Sequence, residues 1–147
     1  MGMRAVIQRV SRARVSVGGE AVGEIGHGWA ILLGVGPLDD ESAAAKLADT
    51  VVKLRAFEDE NGKMNRSALD VGAEALVVSQ VTLYADLSRG RRPSLGTAAP
   101  PELAERLVEH FVGLVRAKGL KVETGRFGAL MDVDIENHGP VTFVLST

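Results

Sequence analysis

Cysteine is absent from the 147 residues. That absence excludes a disulfide framework, a thiolate metal site and a cysteine nucleophile together. Neither sign of charge dominates, with 17 Lys and Arg against 19 Asp and Glu and a formal net charge of -2. Such a balance lacks the basic excess of a dedicated nucleic-acid-binding domain, so any RNA contact has to be a local patch. Aromatic residues make up only 4% of the chain. Long apolar runs are missing too: Met1-Gly2-Met3 passes at once into the alternating Arg4-Ala5-Val6-Ile7-Gln8-Arg9-Val10, which is neither a signal peptide nor a membrane span. The expectation is a soluble, cytoplasmic protein with no membrane partner. What is present is a 46% hydrophobic content, enough for one domain over 1–147 with a substantial core.

The Val- and Ile-rich alternation from Arg4 to Val17 predicts two short strands or one bent strand, ended by Gly18-Gly19. Glu20 to Ile25 alternates again, and the continuous apolar run Trp29 to Val35 predicts a strand buried on both faces. After Asp39-Asp40-Glu41 the period changes, and Ala44, Leu47, Val51 and Leu54 fall on one helical face. Asn61-Gly62 marks a turn between two short extended pieces. Ala75 to Tyr84 predicts a strand with Ser79, Gln80 and Thr82 as polar interruptions, and Leu87 to Pro101 a long loop. A second helix starts at Pro100-Pro101-Glu102 and carries the stripe Leu103, Leu107, Phe111 and Leu114 up to Gly119. Strands are expected at Lys121–Thr124, Met131–Glu136 and Val141–Leu145, the last two separated by Asn137-His138-Gly139-Pro140. The sum is an α+β fold: a mostly antiparallel, curved or barrel-like sheet with two main helices covering one face.

Conventional catalytic constellations are missing. His27, His110 and His138 have no partner at metal-ligand spacing, and structural roles suit His27 and His110. Ser79 and Thr82 carry hydroxyls, but a hydroxyl nucleophile needs an adjacent base, and neither a G-x-S-x-G elbow nor a neighbouring acid or histidine supplies one. Both hydroxyls fit equally well as partners of backbone groups in a buried strand. No glycine segment matches a P-loop or dinucleotide fingerprint, so no cofactor and no metal are expected. Arg89, Arg91 and Arg92 in one loop, and Arg4, Arg9, Arg12 and Arg14 at the start, could meet phosphates or form a solvated basic face. Gly139-Pro140 has no Cβ at its first residue and an X-Pro bond open to the cis form, and so could present backbone carbonyls to a ligand or be a plain hairpin turn.

Taken in order, Ile7-Gln8-Arg9-Val10, Gly62-Lys63-Met64-Asn65, Ser79-Gln80-Val81-Thr82-Leu83, Arg92-Pro93-Ser94, Thr124-Gly125-Arg126-Phe127 and Asn137-His138-Gly139-Pro140-Val141-Thr142 resemble the D-aminoacyl-tRNA deacylase (D-tyrosyl-tRNA deacylase) family over essentially the whole chain. The resemblance implies a homodimer acting on aminoacyl-tRNA, with active sites at the subunit interface. Ser79, Gln80 and Thr82 would be the catalytic set around the ester, with strand amides open to an oxyanion. Gly139, Pro140, Arg9 and Val81 would bind substrate and select its hand: a Gly-cisPro turn from the partner, held by Arg9, would exclude an L side chain. Arg89, Arg91 and Arg92 would contact tRNA. Hydrolysis would be assisted by the 2′-hydroxyl of the terminal adenosine, which accounts for the missing base, although a nucleophilic Thr82 is the older alternative. Val81 and Leu95 stand where family members often have Phe. Two rivals remain open, an editing deacylase with a trans Gly-Pro turn that admits small L residues and a non-catalytic nucleic-acid-binding module.

Overall fold

The computed structural model describes residues 2–147. Arg4–Val17 forms one strand, β1. Its neighbours β2 (Glu20–Ile25) and β3 (Gly28–Gly34) run antiparallel to it. The pairs Ala13↔Ile25 and Val10↔Gly28 keep one register, so β2 and β3 lie end to end along one edge of β1. The first helix, α1 (Glu41–Lys53), is capped by Asp40, whose side chain accepts from the Ala43 amide. A small hairpin, β4 (Phe57–Glu58) and β5 (Met64–Arg66), follows around Asn61-Gly62. The short helix α2 (Ala68–Val71) escapes the apolar periodicity because it is a single turn, held by a reciprocal capping box between Ser67 and Asp70. Then come β6 (Glu74–Ser79), α3 (Pro101–Ala117), β7 (Lys121–Thr124) and β8 (Asp132–Ser146).

The antiparallel part of the sheet is built on β1, which pairs with β2, β3 and β8. Two further pairings, β3 with β6 and β6 with β7, are parallel. Each is reached by a helical crossover, as parallel neighbours require. The buried run in β3 serves two cores. Trp29, Ile31 and Leu33 pack with Met3, Ala5, Ile7, Ala75 and Val77 beneath α1 and α3. On the opposite face Ala30 joins Val10, Ala13, Val15, Ile25, Leu76 and Val78 in a smaller core. This second core exists because the sheet curls: an added Cβ on Gly23 of β2 would lie 2.7 Å from the Thr124 carbonyl oxygen of β7. Both main helices cover one face, and the sheet nearly closes on the other.

Three expected strands differ from the structure in ways that matter for the site. The strand foreseen from Ala75 to Tyr84 ends at Ser79, and Val81–Tyr84 is one turn of 3-10 helix. The Gln80 amide still donates to the Leu33 carbonyl, but the Leu83 amide turns back onto the Gln80 carbonyl and ends the ladder. The strands foreseen on either side of Asn137–Pro140 are one strand, β8, paired along the whole of β1. The segment between them is therefore not a hairpin.

Candidate active site

Two separate pieces of chain carry the polar chemistry. The first is the C-terminal end of β6 and the 3-10 turn after it. Ser79, Gln80 and Val81 line a cavity of about 480 Å3, together with apolar residues of α3 and of the loop Phe127–Met131. Val81 is half exposed at its rim and Leu130 is almost fully exposed. None of its lining residues is ionisable, so its walls supply no general acid or base. Thr82 lies next to the cavity on the exposed side of the turn, and its hydroxyl accepts a hydrogen bond from Gln80 Nε2. A 3-10 turn leaves its first amides without partners inside the turn. Those of Val81 and Thr82 meet no acceptor among the described residues.

The second piece is an excursion in β8. Gln8 pairs with Thr142 and Val10 with Asn137. The four residues His138, Gly139, Pro140 and Val141 therefore stand opposite the single residue Arg9. His138, Gly139 and Pro140 are exposed. The Gly139–Pro140 peptide is cis, and Gly139 sits at φ +142°. A Cβ there would meet Val141 Cγ2 at 2.6 Å and the Val141 nitrogen at 2.9 Å, which reserves the position for glycine.

Arg9 is 3% exposed. Its Nε donates to the His138 carbonyl at 3.0 Å and its Nη1 to the Ala56 carbonyl at 2.9 Å, while Nη2 lies 3.6 Å from Glu58 Oε1. The planar guanidinium thus serves three acceptors at once, which an ammonium could not do in this geometry. Burial and these partners remove Arg9 from the arginines considered for phosphate contact. Three others have partners on their own chain: Arg12 pairs with Glu136 at 3.1 Å and Arg14 with Asp134 at 3.7 Å, both exposed, and Arg4 stacks 4.3 Å over the Tyr84 ring while donating to the Leu83 carbonyl.

The loop arginines have a different setting. Asp86 and Ser94 exchange backbone hydrogen bonds at 2.8 and 3.1 Å, and Thr97 Oγ1 donates to the Tyr84 carbonyl. These bonds pinch off a tip that begins just past the 3-10 turn. Arg89, Arg91 and Arg92 are exposed on it, with no ion pair or hydrogen bond among the described residues. Their charge is therefore available for an outside anion.

The histidines divide. His110 lies on α3 at 4.0 Å from Glu41 Oε2 of α1. His27 packs edge-on against Phe57, and its pKa is held below the ordinary value by burial, then by the nearby His138 and Arg9 charges. Neither lines the 480 Å3 cavity.

One protomer brings Ser79, Gln80 and Val81 together at the cavity, with Thr82 beside it, but it does not bring Gly139 and Pro140 to them. Ser79 is in register with Leu33 and so with Ala5, whereas the excursion lies opposite Arg9. Four residues along β1 and three strand spacings across the sheet separate the two by a path of roughly 20 Å along the curled sheet. Three residues had no role assigned from sequence. Phe127 and Met131 line the cavity, and Asn137 braces the base of the excursion with four hydrogen bonds. Asparagine before a Gly-Pro turn was the available signal, since its amide readily bonds nearby backbone.

This curled α+β fold is shared with solved structures. A chain described as c-Myc DNA unwinding element binding protein superposes with a TM-score of 0.91 at 40% identity, covering 98% of each chain. Another, described as a probable eukaryotic D-amino acid tRNA deacylase, gives 0.87 over 100% of each chain at 16% identity, a likeness of fold. The chain belongs to the D-Tyr-tRNA(Tyr) deacylase family, whose model matches residues 6–146. Relatives named D-aminoacyl-tRNA deacylase include one from Roseiflexus sp. (strain RS-1), 59% identical over 99% of this chain and 94% of its own length. One from Symbiobacterium thermophilum is 58% identical over 100% and 97%, and one from Thermus aquaticus is 54% identical over 99% and 95%.

Proposed function

We propose that this chain is a D-aminoacyl-tRNA deacylase, a carboxylic ester hydrolase that frees the amino acid and the tRNA from D-aminoacyl-tRNA and from mischarged glycyl-tRNA. The observation that carries the reading is the exposed Gly139-Pro140 excursion, rigidly tied by Arg9 and yet remote from the Ser79 cavity of its own chain. Such a turn becomes part of a site only when a second copy delivers it, so the working unit is a homodimer with its active sites at the subunit interface. The outer sheet face beside the excursion suits a partner, because Val144 there is 79% exposed.

In this reading Ser79, Gln80 and Thr82 surround the ester, and the unpartnered amides of Val81 and Thr82 stabilise the charge that develops on the carbonyl oxygen. Gly139 and Pro140 of the partner present carbonyls that a D side chain avoids and an L side chain strikes. Rejection of the wrong hand, rather than grip on the right one, leaves the side chain unread and glycine accepted. A cavity without ionisable walls leaves proton transfer to the substrate, where the terminal adenosine's 2′-hydroxyl assists the attack of water on the acyl carbon. The cytoplasm, where aminoacyl-tRNA is used, is the compartment. The test is deacylation of matched D- and L-aminoacyl-tRNA and of the D-substrate on a 2′-deoxy terminal adenosine. Release from the D-ester alone, with a large loss on the 2′-deoxy form, is expected, and equal rates on both hands would refute chiral selection.

A second reading has two observations in its favour. The three unpaired arginines of the 87–93 tip suit nucleic acid binding without hydrolysis, and the 40% identical solved relative carries a DNA-binding name. Salt-sensitive binding with no ester cleavage on any aminoacyl-tRNA is the outcome that would favour it.

A further inference from the structure

An excursion of four residues opposite one leaves the strand ladder, and something other than the ladder has to hold its shape. Arg9 holds one carbonyl, that of His138, on the ascending arm. The two arms are joined by Asn137. Its Oδ1 accepts from the Val141 amide at 2.7 Å, and its Nδ2 stands 3.2 Å from the Val141 carbonyl oxygen, 3.1 Å from Thr142 Oγ1 and 3.1 Å from Gln8 Oε1. One amide side chain thus grips both backbone groups of the residue that follows Pro140. Gln8 on β1 orients that amide by accepting from its nitrogen, which distinguishes the two faces of the Asn137 side chain and anchors the clasp to the central strand.

We infer that Asn137, oriented by Gln8, is a positioning residue for enantiomer selection: its amide closes the His138–Val141 excursion across its base and fixes where the Gly139 and Pro140 carbonyls stand. The inference rests on the chiral reading of the excursion given above. Arg9 alone sets the height of the first arm. Without the clasp the second arm is free to swing about Gly139, whose backbone has no Cβ to restrict it. A selector that works by steric exclusion loses discrimination as soon as it can yield, because the excluded ester then enters. The signature of lost positioning is therefore a gain of the wrong reaction, which a destabilised scaffold does not produce.

The experiment compares D- and L-aminoacyl-tRNA hydrolysis by the unaltered protein and by Asn137→Asp. Aspartate keeps the acceptor for the Val141 amide, but as an anion it donates nothing and faces the Val141 and Gln8 oxygens. The expected result is a D-to-L rate ratio lowered on the order of tenfold, the equivalent of one net hydrogen bond, with the L rate rising in absolute terms. A ratio equal to that of the unaltered protein, whether or not both rates fall together, overturns the inference. Should Asn137→Asp fail to fold, Gln8→Leu removes the orienting acceptor alone and is read by the same ratio. Failure of the underlying reading is visible separately, as the absence of any D preference in the unaltered protein.

Discussion

Arg9 and His138 are joined by a 3.0 Å hydrogen bond from the guanidinium Nε of a buried side chain to a backbone carbonyl of the exposed excursion. The same side chain satisfies the Ala56 carbonyl, so two segments far apart in sequence depend on one planar cation. Arg9→Ala leaves both carbonyls without their donor. The expected destabilisation is about 1–3 kcal/mol, chiefly the cost of leaving the buried Ala56 carbonyl unsatisfied. Urea unfolding should show a lower midpoint at unchanged slope. Arg9→Lys can reach one acceptor and not all three, and should recover stability while leaving D-over-L discrimination impaired.

Gly139→Ala addresses the excursion from the other side. A methyl group at φ +142°, 2.6 Å from Val141 Cγ2, forces the turn out of shape. The position is exposed and outside both cores, so the fold survives. The unfolding temperature should fall by about 2–6 °C. Hydrolysis of D-aminoacyl-tRNA should drop at least about tenfold, because the carbonyls that the proposed reading sets against the substrate would be displaced. A variant with unaltered rates on both enantiomers would place the excursion outside the active site.

How far the sequence carries the reading can be judged from these same residues. The alternation in Arg4–Val17 and the apolar run at Trp29–Val35 reveal the central strands because burial on one or both faces leaves a direct pattern. The shift to a three-or-four spacing after Asp40 likewise reveals α1. The end of β6 at Ser79 was hidden: Val81, Leu83 and Tyr84 suit a strand as well as a 3-10 turn, and the choice is made by the Leu83 amide returning to Gln80. The excursion was hidden for a related reason. Whether Asn137–Pro140 is a hairpin or a bulge depends on its partner strand, and β1 lies some 130 residues away in sequence. Arg9, Arg12 and Arg14 look alike in a one-dimensional list. Only the register opposite β8 gives Arg12 and Arg14 their carboxylates and buries Arg9.

Thr82 distinguishes two chemistries. Its hydroxyl accepts from Gln80 Nε2, and the adjacent cavity has no ionisable lining residue to act as the base that a hydroxyl nucleophile needs. Thr82→Ala should retain D-aminoacyl-tRNA hydrolysis within about tenfold, whereas removal of a true nucleophile costs on the order of 10^4 or more. Single-turnover rates settle the matter, since they isolate the chemical step from product release.

His27 provides a pH-dependent handle near the excursion. Its pKa lies below 6.5 because burial, and then the charges of His138 and Arg9, disfavour the imidazolium. With the folded value depressed, the unfolded chain binds the extra proton first, and stability rises with pH in that range. The contribution is therefore fully present above about pH 6.5 and declines as the pH falls through the unfolded value toward the folded one. Unfolding free energies measured from pH 7.5 down to pH 5 should fall more steeply for the unaltered protein than for His27→Gln. Parallel profiles would show that His27 titrates alike in both states.

The tip carrying Arg89, Arg91 and Arg92 allows the RNA contribution to be measured apart from the chemistry. These side chains are exposed and unpaired, and the Asp86–Ser94 bridge holds the tip just beyond the 3-10 turn that carries Thr82. In the proposed reading, charge at that place would meet the phosphates of the acceptor strand without touching the ester. Each arginine that neutralises a phosphate adds about 0.7–0.9 to the slope of log affinity against log salt. Replacing all three by Ala should therefore lower that slope by about 2–3 for uncharged tRNA. It should also raise the KM for D-aminoacyl-tRNA. The D-to-L ratio should stay where it was, because the proposed reading assigns selection to Gly139 and Pro140. A triple variant with an unchanged salt slope would move the RNA-binding surface elsewhere, and one with a changed ratio would make the tip part of the selector.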